Sequence, residues 1–392
     1  MKTDKENNLI WLSQVHSNTG TATFCRNQCE SFYKLGYFDN IQILPDPYVP
    51  TKLDNPVLQK MIETKLDIRK STVIQVMWPE RWYATIAKRP KWFIGYNAIE
   101  GTKIPYNWVQ IMNDDDVDLV LTMSSAMKRM FVENGVKKRK LFALGHGVNP
   151  VIFKPKENDK TTRFQKPYTF LYVNGWRTSI GRNDRKGPEI LLDAWVKGNF
   201  VNNPKYHLYM KVNMVYEQKR DYFKDIKQKV GYDVSKWTNF TFDTTDYPVQ
   251  ELVKIYQNAD CFVAPTKGEG WGITIQEAMA CGLPVIVPNN PYAGYMDFCN
   301  KKNSLLIEIE REEEVDSRLM GHFYSGSKWH IASTDDLIHT MRWCVQYPQE
   351  AKKIGIRGMK EVVTYWTWDD ASDRLIEELK RRKMYYDKAF KI

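Results

Sequence analysis

Residues 264–288 read APTKGEGWGITIQEAMACGLPVIVP, and the fold turns on how this stretch is read. Just before and into it, Cys261-Phe262-Val263-Ala264 is a short apolar run fit for a buried strand. Lys267-Gly268-Glu269-Gly270-Trp271-Gly272 cannot continue that strand. Its glycines let the backbone turn sharply and come close to a ligand. Residues 273–280 have helical composition, with Ile273, Ile275, Ala278, Met279 and Ala280 as apolar members. Gly282 followed by Pro284 stops the helix. Val285-Ile286-Val287 is then the next strand.

Chemistry follows from that order. A helix starting near Gly272 points free backbone N–H groups at whatever lies in front of it, and its dipole favours an anion such as a phosphate. Glu269 stands just before the helix, and Glu277 lies a little over two turns further on. Both carboxylates can therefore line one side of a site and accept hydrogen bonds from sugar hydroxyls. One acid for a transferred sugar and one for a ribose is a sensible division of labour.

The same residues resemble a known family. EGWGITIQE, with seven residues between its two acids and AMACGLPVI after it, is similar to the E-x7-E signature of retaining GT-B glycosyltransferases, and most of all to glycosyltransferase family 4. A bare pair of glutamates would be an ordinary exposed helix face. The glycines before it and the EAMACGLPVI run after it make the pattern specific.

A chain of 392 residues fits two domains rather than one core. No segment approaches the length of a membrane span. The opening MKTDKENNLIWL carries charges and amides up to Leu9, without a signal-peptide core. The six cysteines lack metal spacing, and Cys25-x3-Cys29 is no zinc pattern. Cytoplasm with free thiols is the expectation. The net charge of +10 suits anionic partners: nucleotide sugars, a lipid-linked acceptor at an anionic membrane, or nucleic acid. The runs Lys137-Lys138-Arg139-Lys140 and Lys380-Arg381-Arg382-Lys383 read as solvated helix ends and loops. No nucleic-acid signature accompanies them, so no nucleic-acid partner is expected.

In chain order, residues 9–15 read as a first strand. The loop Ser17-Asn18-Thr19-Gly20-Thr21 and a helix over residues 22–34 follow. This is the opening of a doubly wound half. In the resembling family that loop faces the diphosphate, usually with paired glycines, and here only Gly20 is present. His16 is a candidate to reach the site, against the plainer reading of a loop histidine. Further strands are expected at 41–44, 72–77 and 92–96. Asn97-Ala98-Ile99-Glu100-Gly101 leads into Pro105-Tyr106-Asn107-Trp108, similar to the P-x-x-W element of a subgroup of the family that carries an acid rather than a histidine here. Asn97 and Glu100 are thus candidates for the acceptor or sugar side. Asp114-Asp115-Asp116-Val117-Asp118 contains Asp-x-Asp, the metal signature of the other main glycosyltransferase fold. At a turn between a helix and a strand such acids ordinarily serve local hydrogen bonding, and no metal site is expected.

Leu144-Gly145-His146-Gly147-Val148-Asn149 with Phe153 resembles the strand end that closes the family's first domain, and the polar segment 154–166 is a linker. The second domain opens with a strand at 168–174, then Gly175-Trp176-Arg177, a polar loop, and Arg185-Lys186-Gly187-Pro188. The resemblance assigns an arginine and the lysine of the Lys-Gly pair to the donor diphosphate. Lys186 fits that role directly. Arg177 lies one place later than the family's arginine in a longer loop, and Arg182 or Arg185 could substitute. Strands are expected at 206–212, 240–242 and 304–309. Residues 321–329 read as irregular, 349–363 as a helix interrupted by Gly355 and Gly358, and 367–386 as a terminal helix with an apolar stripe of Leu375, Ile376 and Leu379.

The resemblance therefore implies a GT-B fold, two Rossmann-like doubly wound domains facing across a cleft. Residues 1–158 would be the acceptor-side domain, 159–366 the donor domain, and 367–392 a helix returning to the first. The implied function is hexose transfer with retention, from a nucleoside diphosphate sugar to a glycan, lipid-linked or protein acceptor. Glu269 would hold donor-sugar hydroxyls and Glu277 the ribose. Backbone amides of Gly270, Trp271, Gly272, Ile273 and Thr274, with Arg177 and Lys186, would steady the departing diphosphate without a metal or other cofactor. The protein would be cytoplasmic, with peripheral contact to an anionic membrane. A GT-B-fold epimerase or hydrolase, or an inactive nucleotide-sugar-binding scaffold, would use the same residues.

Overall fold

The computed structural model describes residues 6–49, 52–156, 167–213 and 220–386. The chain forms two units. One comprises Met1–Ile99, Ile104–Gly147 and Trp366–Ile392, and the other Glu100–Lys103 and Val148–Tyr365. The expected junction at 158/159 lies outside the described residues. Glu100–Lys103 belong to the second unit, although the residues on both sides of them belong to the first.

The first unit is built on β1 (Asn8–Ser13), β2 (Asn40–Pro45), β3 (Ser71–Val76), β4 (Trp92–Tyr96), β5 (Leu119–Thr122) and β6 (Leu141–Ala143). They form one parallel sheet in the order β2-β1-β3-β4-β5-β6. Parallel strands carry helices on both faces, so they are buried even where they are polar, and β3 (STVIQV) is buried along its whole length. After β1 the helix Gly20–Leu35 begins behind Thr19, whose side chain accepts from the Ala22 N–H at 3.3 Å.

The C-terminal helix Trp368–Arg381 packs on Gly20–Leu35. Ser31 Oγ lies 2.7 Å from Ser372 Oγ, and the Gln28 amide donates to Ser372 Oγ at 2.6 Å. Leu375, Ile376 and Leu379 join Trp11, Phe24 and Phe32 in one core. Thr367 and Asp370 close its N-terminus as a capping box. The helix stops at Arg381 rather than near Tyr386. Arg381 and Arg382 fold back onto the Glu378 carboxylate at 2.6 Å each, and Lys383 turns to φ 60°, outside the helical region.

In the second unit β7 (Tyr168–Gly175), β8 (Tyr206–Asn213), β9 (Phe240–Asp243), β10 (Cys261–Val263), β11 (Val285–Pro288) and β12 (Leu305–Ile307) form a parallel sheet in the order β12-β11-β10-β7-β8-β9. The chain winds outward from β7 through β8 to β9, then returns to the other side of β7 with β10. The β7/β10 boundary is therefore the switch point, where the winding of the sheet reverses direction. A feature not expected from the sequence is an antiparallel pair, β13 (Ile309–Glu314) with β14 (Lys328–Ala332). IEREEE is exposed and charged along most of its length, so it carries no apolar signal for a strand.

The two glycines expected to interrupt the helix at 349–363 do not do so. Pro348–Tyr365 is one continuous helix. Gly355 is there because a Cβ would stand 2.5 Å from the Gly282 carbonyl oxygen and 2.6 Å from the Pro284 nitrogen. Gly358 similarly passes the Asn303 carbonyl oxygen, 2.9 Å from where its Cβ would be. Packing on the stretch that follows the helix Ile273–Ala280 overrides helix propensity.

Gly355→Ala should therefore destabilise the protein. Propensity alone would favour alanine by about 1 kcal/mol. The clash is with backbone, which cannot swing aside, and costs about 1–3 kcal/mol on the scale of overpacking. A thermal melt should show a lower Tm for Gly355→Ala, and an unchanged or higher Tm would show that the helix can shift outward.

Candidate functional site

The loop after β7 and the loop after β10 meet at the switch point of the second unit. Gly187 makes the meeting possible. It sits at φ 63° immediately before the helix Pro188–Lys197, and a Cβ there would lie 2.1 Å from the Pro265 carbonyl oxygen. Hydrogen bonds stitch the loops together. The Lys267 N–H donates to the Arg185 carbonyl at 2.8 Å, and Thr266 Oγ1 donates to the same carbonyl at 3.1 Å. Asp184 accepts from the Arg177 N–H and from the Lys186 N–H, each at 2.9 Å. The sequence reading did not single out Asp184, since a short acid in a polar loop carries no distinctive pattern.

This geometry brings Lys186 and Glu269 together as an ion pair. Arg185 stands beside them, with Nη1 3.7 Å from Glu269 Oε2 and donating to the Gly268 carbonyl at 3.1 Å. Its Nη2 lies 3.1 Å from Glu100 Oε1. All four side chains are largely buried. Burial pushes the Glu269 carboxyl upward, but Lys186 and Arg185 outweigh it and hold the group below its ordinary range. Burial and Arg185 lower the Lys186 ammonium, against the pull of Glu269. Burial also works against the Arg185 charge, and Glu100 and Glu269 overcome it. Two basic and two acidic side chains thus share one water-poor volume.

The helix Ile273–Ala280 starts at the edge of this cluster. Its cap, Gly272, has φ 99° and offers no side chain, so the first N–H groups receive no side-chain acceptor. Gly270 and Gly272 are buried in the turn, while Ile273 and Thr274 at the helix start are half-buried. Trp271 contributes only backbone: its side chain is 1% exposed, its indole N–H donates to Gln276 at 3.0 Å, and its ring packs on Phe298. Glu277 is buried and accepts from the Tyr256 hydroxyl at 2.8 Å. Burial raises its carboxyl to about 7, only partly countered by that hydrogen bond.

The three candidate arginines fall in different places. Arg185 joins Glu269 and Lys186. Arg182 is committed to Asp193 through two hydrogen bonds of 2.8 and 2.9 Å. Arg177 is half-buried, with Nε 4.0 Å from Asp184 and its guanidinium against Met320. The expected acceptor-side trio also divides. His16 and Asn97 belong to the first unit, as does Gly20 of the expected donor set, whereas Glu100 belongs to the second and is bound to Arg185. Gly20 is the first residue of its helix. Both ring nitrogens of His16 and Oδ1 of Asn97 are buried without a hydrogen-bond partner. Burial and then Arg26 lower the His16 imidazole, keeping it neutral near pH 7.

The acidic run 114–118 holds backbone. Asp118 accepts from the Phe93 N–H at 2.7 Å, and Asp114 from the Asp116 N–H at 3.0 Å. Among the described residues no group of three or more His, Cys, Asp or Glu side chains could hold a metal ion. None of their helices is long and apolar enough to cross a membrane.

Two parallel-sheet Rossmann-like units, the second with its ion cluster at the switch point, make this the GT-B fold. Residues 154–319 match the family model described as Glycosyl transferases group 1. Among solved structures, sucrose-phosphate synthase from Thermosynechococcus elongatus superposes with a TM-score of 0.69 at 16% identity, covering 96% of this chain and 99% of that one. A glycosyltransferase from Rickettsia africae gives 0.68 at 14% identity, covering 96% and 99%. HepE of Anabaena, solved in complex with UDP and glucose, gives 0.67 at 13% identity, covering 96% and 100%. A curated relative, the GtfA subunit of the UDP-N-acetylglucosamine–peptide N-acetylglucosaminyltransferase of Streptococcus parasanguinis, is 39% identical over 65 residues, which are 17% of this chain. The match spans only 13% of that relative's length.

The raised Glu277 carboxyl has a consequence for stability. Its folded value of about 7 lies above its ordinary 4.5, so between those values the folded protein binds more protons than the unfolded chain. Stability contributed by the protonated group is full below about pH 4.5 and is lost as pH rises through about 7. Without nucleotide, Glu277→Gln should remove about 1–3 kcal/mol of that decline. Melts between pH 5 and pH 8 check it, and parallel curves for wild type and variant would contradict it.

Proposed function

We propose that this protein is a retaining, metal-independent glycosyltransferase of the family 4 type. It would move a hexose from a nucleoside diphosphate sugar to a glycan, lipid-linked or protein acceptor. The observation that carries the reading is the meeting of Arg185, Lys186 and Glu269 in front of the helix Ile273–Ala280. Two cations and uncapped helix N–H groups suit a diphosphate, and the carboxylate beside them suits the hydroxyls of the attached sugar.

In this reading Arg185 takes the role expected of Arg177. Arg185 and Lys186 neutralise the charge that grows on the diphosphate as the anomeric C–O bond breaks, while the amides of residues 270–274 hold its oxygens. That is the work a metal does in other sites, and here side-chain cations do it. Glu269 orients the sugar and Glu277, steadied by Tyr256, holds the ribose. For retention, the acceptor oxygen bonds to the anomeric carbon on the face the diphosphate leaves. Its proton passes to the departing phosphate oxygen, so no side-chain base is required. His16 and Asn97, with unpartnered polar atoms, are the first unit's candidates to meet the acceptor.

UDP is the nucleotide we favour. The complex of HepE with UDP and the UDP-N-acetylglucosamine in the name of the curated relative both support it. A cytoplasmic protein touching an anionic membrane is consistent with the net charge of +10.

A thermal-shift panel of UDP, GDP, ADP and their common sugars, with and without EDTA, tests this. One nucleotide should stabilise the wild type by about 2.7 kcal/mol at a hundredfold excess over its Kd. EDTA should leave the shift unchanged, and Lys186→Ala should abolish it. No shift with any nucleotide would sink the donor-site reading, and a shift requiring divalent metal would overturn metal independence.

A further inference from the structure

Glu100 has no place in the roles above, yet it is the carboxylate closest to Arg185. It is carried on residues 100–103, which are seated firmly in the second unit. The Thr102 N–H donates to Ser327 Oγ at 2.9 Å, and the Lys328 N–H donates to Thr102 Oγ1 at 3.0 Å. The Trp329 indole N–H donates to the Glu100 carbonyl at 3.2 Å. One Glu100 carboxylate oxygen accepts from the Tyr324 hydroxyl at 2.8 Å, and the other lies 3.1 Å from Arg185 Nη2. The elements that hold it, β14 and the turn before it, are the ones the sequence did not reveal.

We infer that Glu100 is a built-in counter-ion that competes with the diphosphate for Arg185 and so limits how tightly the nucleoside diphosphate product is held. The inference rests on the donor-site reading above. Arg185 and Lys186 alone would present two positive charges to the leaving group. Glu269 offsets one, but the same residue is needed by the sugar. Glu100 offsets the other without touching the sugar, because its free geometry is spent on Tyr324 and Arg185. A diphosphate must draw Arg185 away from Glu100 to bind, and Glu100 draws it back when the product leaves. An affinity held down in this way favours turnover, since a tightly held product leaves slowly and its release then limits the rate.

The position is held by neutral donors, which separates charge from architecture. Tyr324 can still donate to a side-chain amide at residue 100 and Trp329 to its backbone carbonyl, so Glu100→Gln removes the charge and keeps the seat. Glu100→Asp keeps the charge on a shorter arm. Tyr324→Phe removes a donor from the carboxylate and leaves it more available to Arg185.

Calorimetric titration of UDP and GDP, with uridine and guanosine as controls, reads the result. Glu100→Gln should bind the preferred diphosphate about tenfold more tightly than wild type, the scale of losing one like charge a few ångströms from a screened anion. Affinity for the bare nucleoside should not change. Glu100→Asp should stay near wild type, and Tyr324→Phe should bind the diphosphate more weakly. If wild type binds and Glu100→Gln binds equally or more weakly, the counter-ion role is overturned while the donor site stands. Should Glu100→Gln fail to fold, tighter binding by Tyr324→Phe would overturn it equally. If wild type binds neither diphosphate, the donor-site reading fails and this inference with it.

Discussion

The close passage of two loops at the β7/β10 boundary is the constraint on which the second unit's chemistry depends. Lys186 and Glu269 are far apart in sequence and meet because Gly187 lets one backbone run against the Pro265 carbonyl. Everything else in the cluster follows from that approach. Arg185 is brought alongside as the residue before Lys186, and the helix Ile273–Ala280 opens toward the same place because its glycine turn carries Glu269. A side chain at residue 187 would separate the loops and, with them, the charges.

Such a cluster is a poor way to gain stability. Removing ionised groups from water costs several kcal/mol each, and their mutual attraction does little more than offset it. Burial opposes the charge on Glu269, Lys186 and Arg185 alike. What the arrangement supplies is preorganisation: cations already stripped of most of their water and fixed in direction act on an anion without first having to reorganise. Preorganisation of this kind is what the proposed diphosphate site calls for.

Legibility in the sequence followed the physics of each group. Lys186-Gly187 and the Glu269–Glu277 turn were readable as features because glycines, a helix start and charged residues stand there in a fixed local order. Arg185 was readable only as one of three arginines, since a guanidinium reaches several ångströms and its target is set by tertiary contacts: Asp193 takes Arg182, and Glu100 and Glu269 take Arg185. Glu100 could be marked as an acid of interest but not located, because its partner lies across a unit boundary in sequence. β13 was invisible because an exposed charged strand has no apolar alternation. Gly355 was misread as a helix break, since glycine's propensity is local and its actual role is contact with residues 282–284.

A second buried ion pair shows how the loops keep their register. Lys267 and Glu189 are 4% and 5% exposed at the side chain and 2.7 Å apart. Glu189 is carried by the helix after Gly187, and Lys267 by the loop before Glu269, so the pair ties together the two elements that present Lys186 and Glu269. Lys267 Nζ also donates to the Arg182 carbonyl at 2.5 Å, reaching the loop that leads into Arg185. Burial still pushes the Glu189 carboxyl up to about 7, so the tie is held against a real desolvation cost. An apolar pair would fill the same space more cheaply but could slide, whereas a charge pair with a carbonyl as third partner accepts one alignment. Both side chains are almost without exposure, so the pair's charges serve the alignment of the two elements rather than the surface.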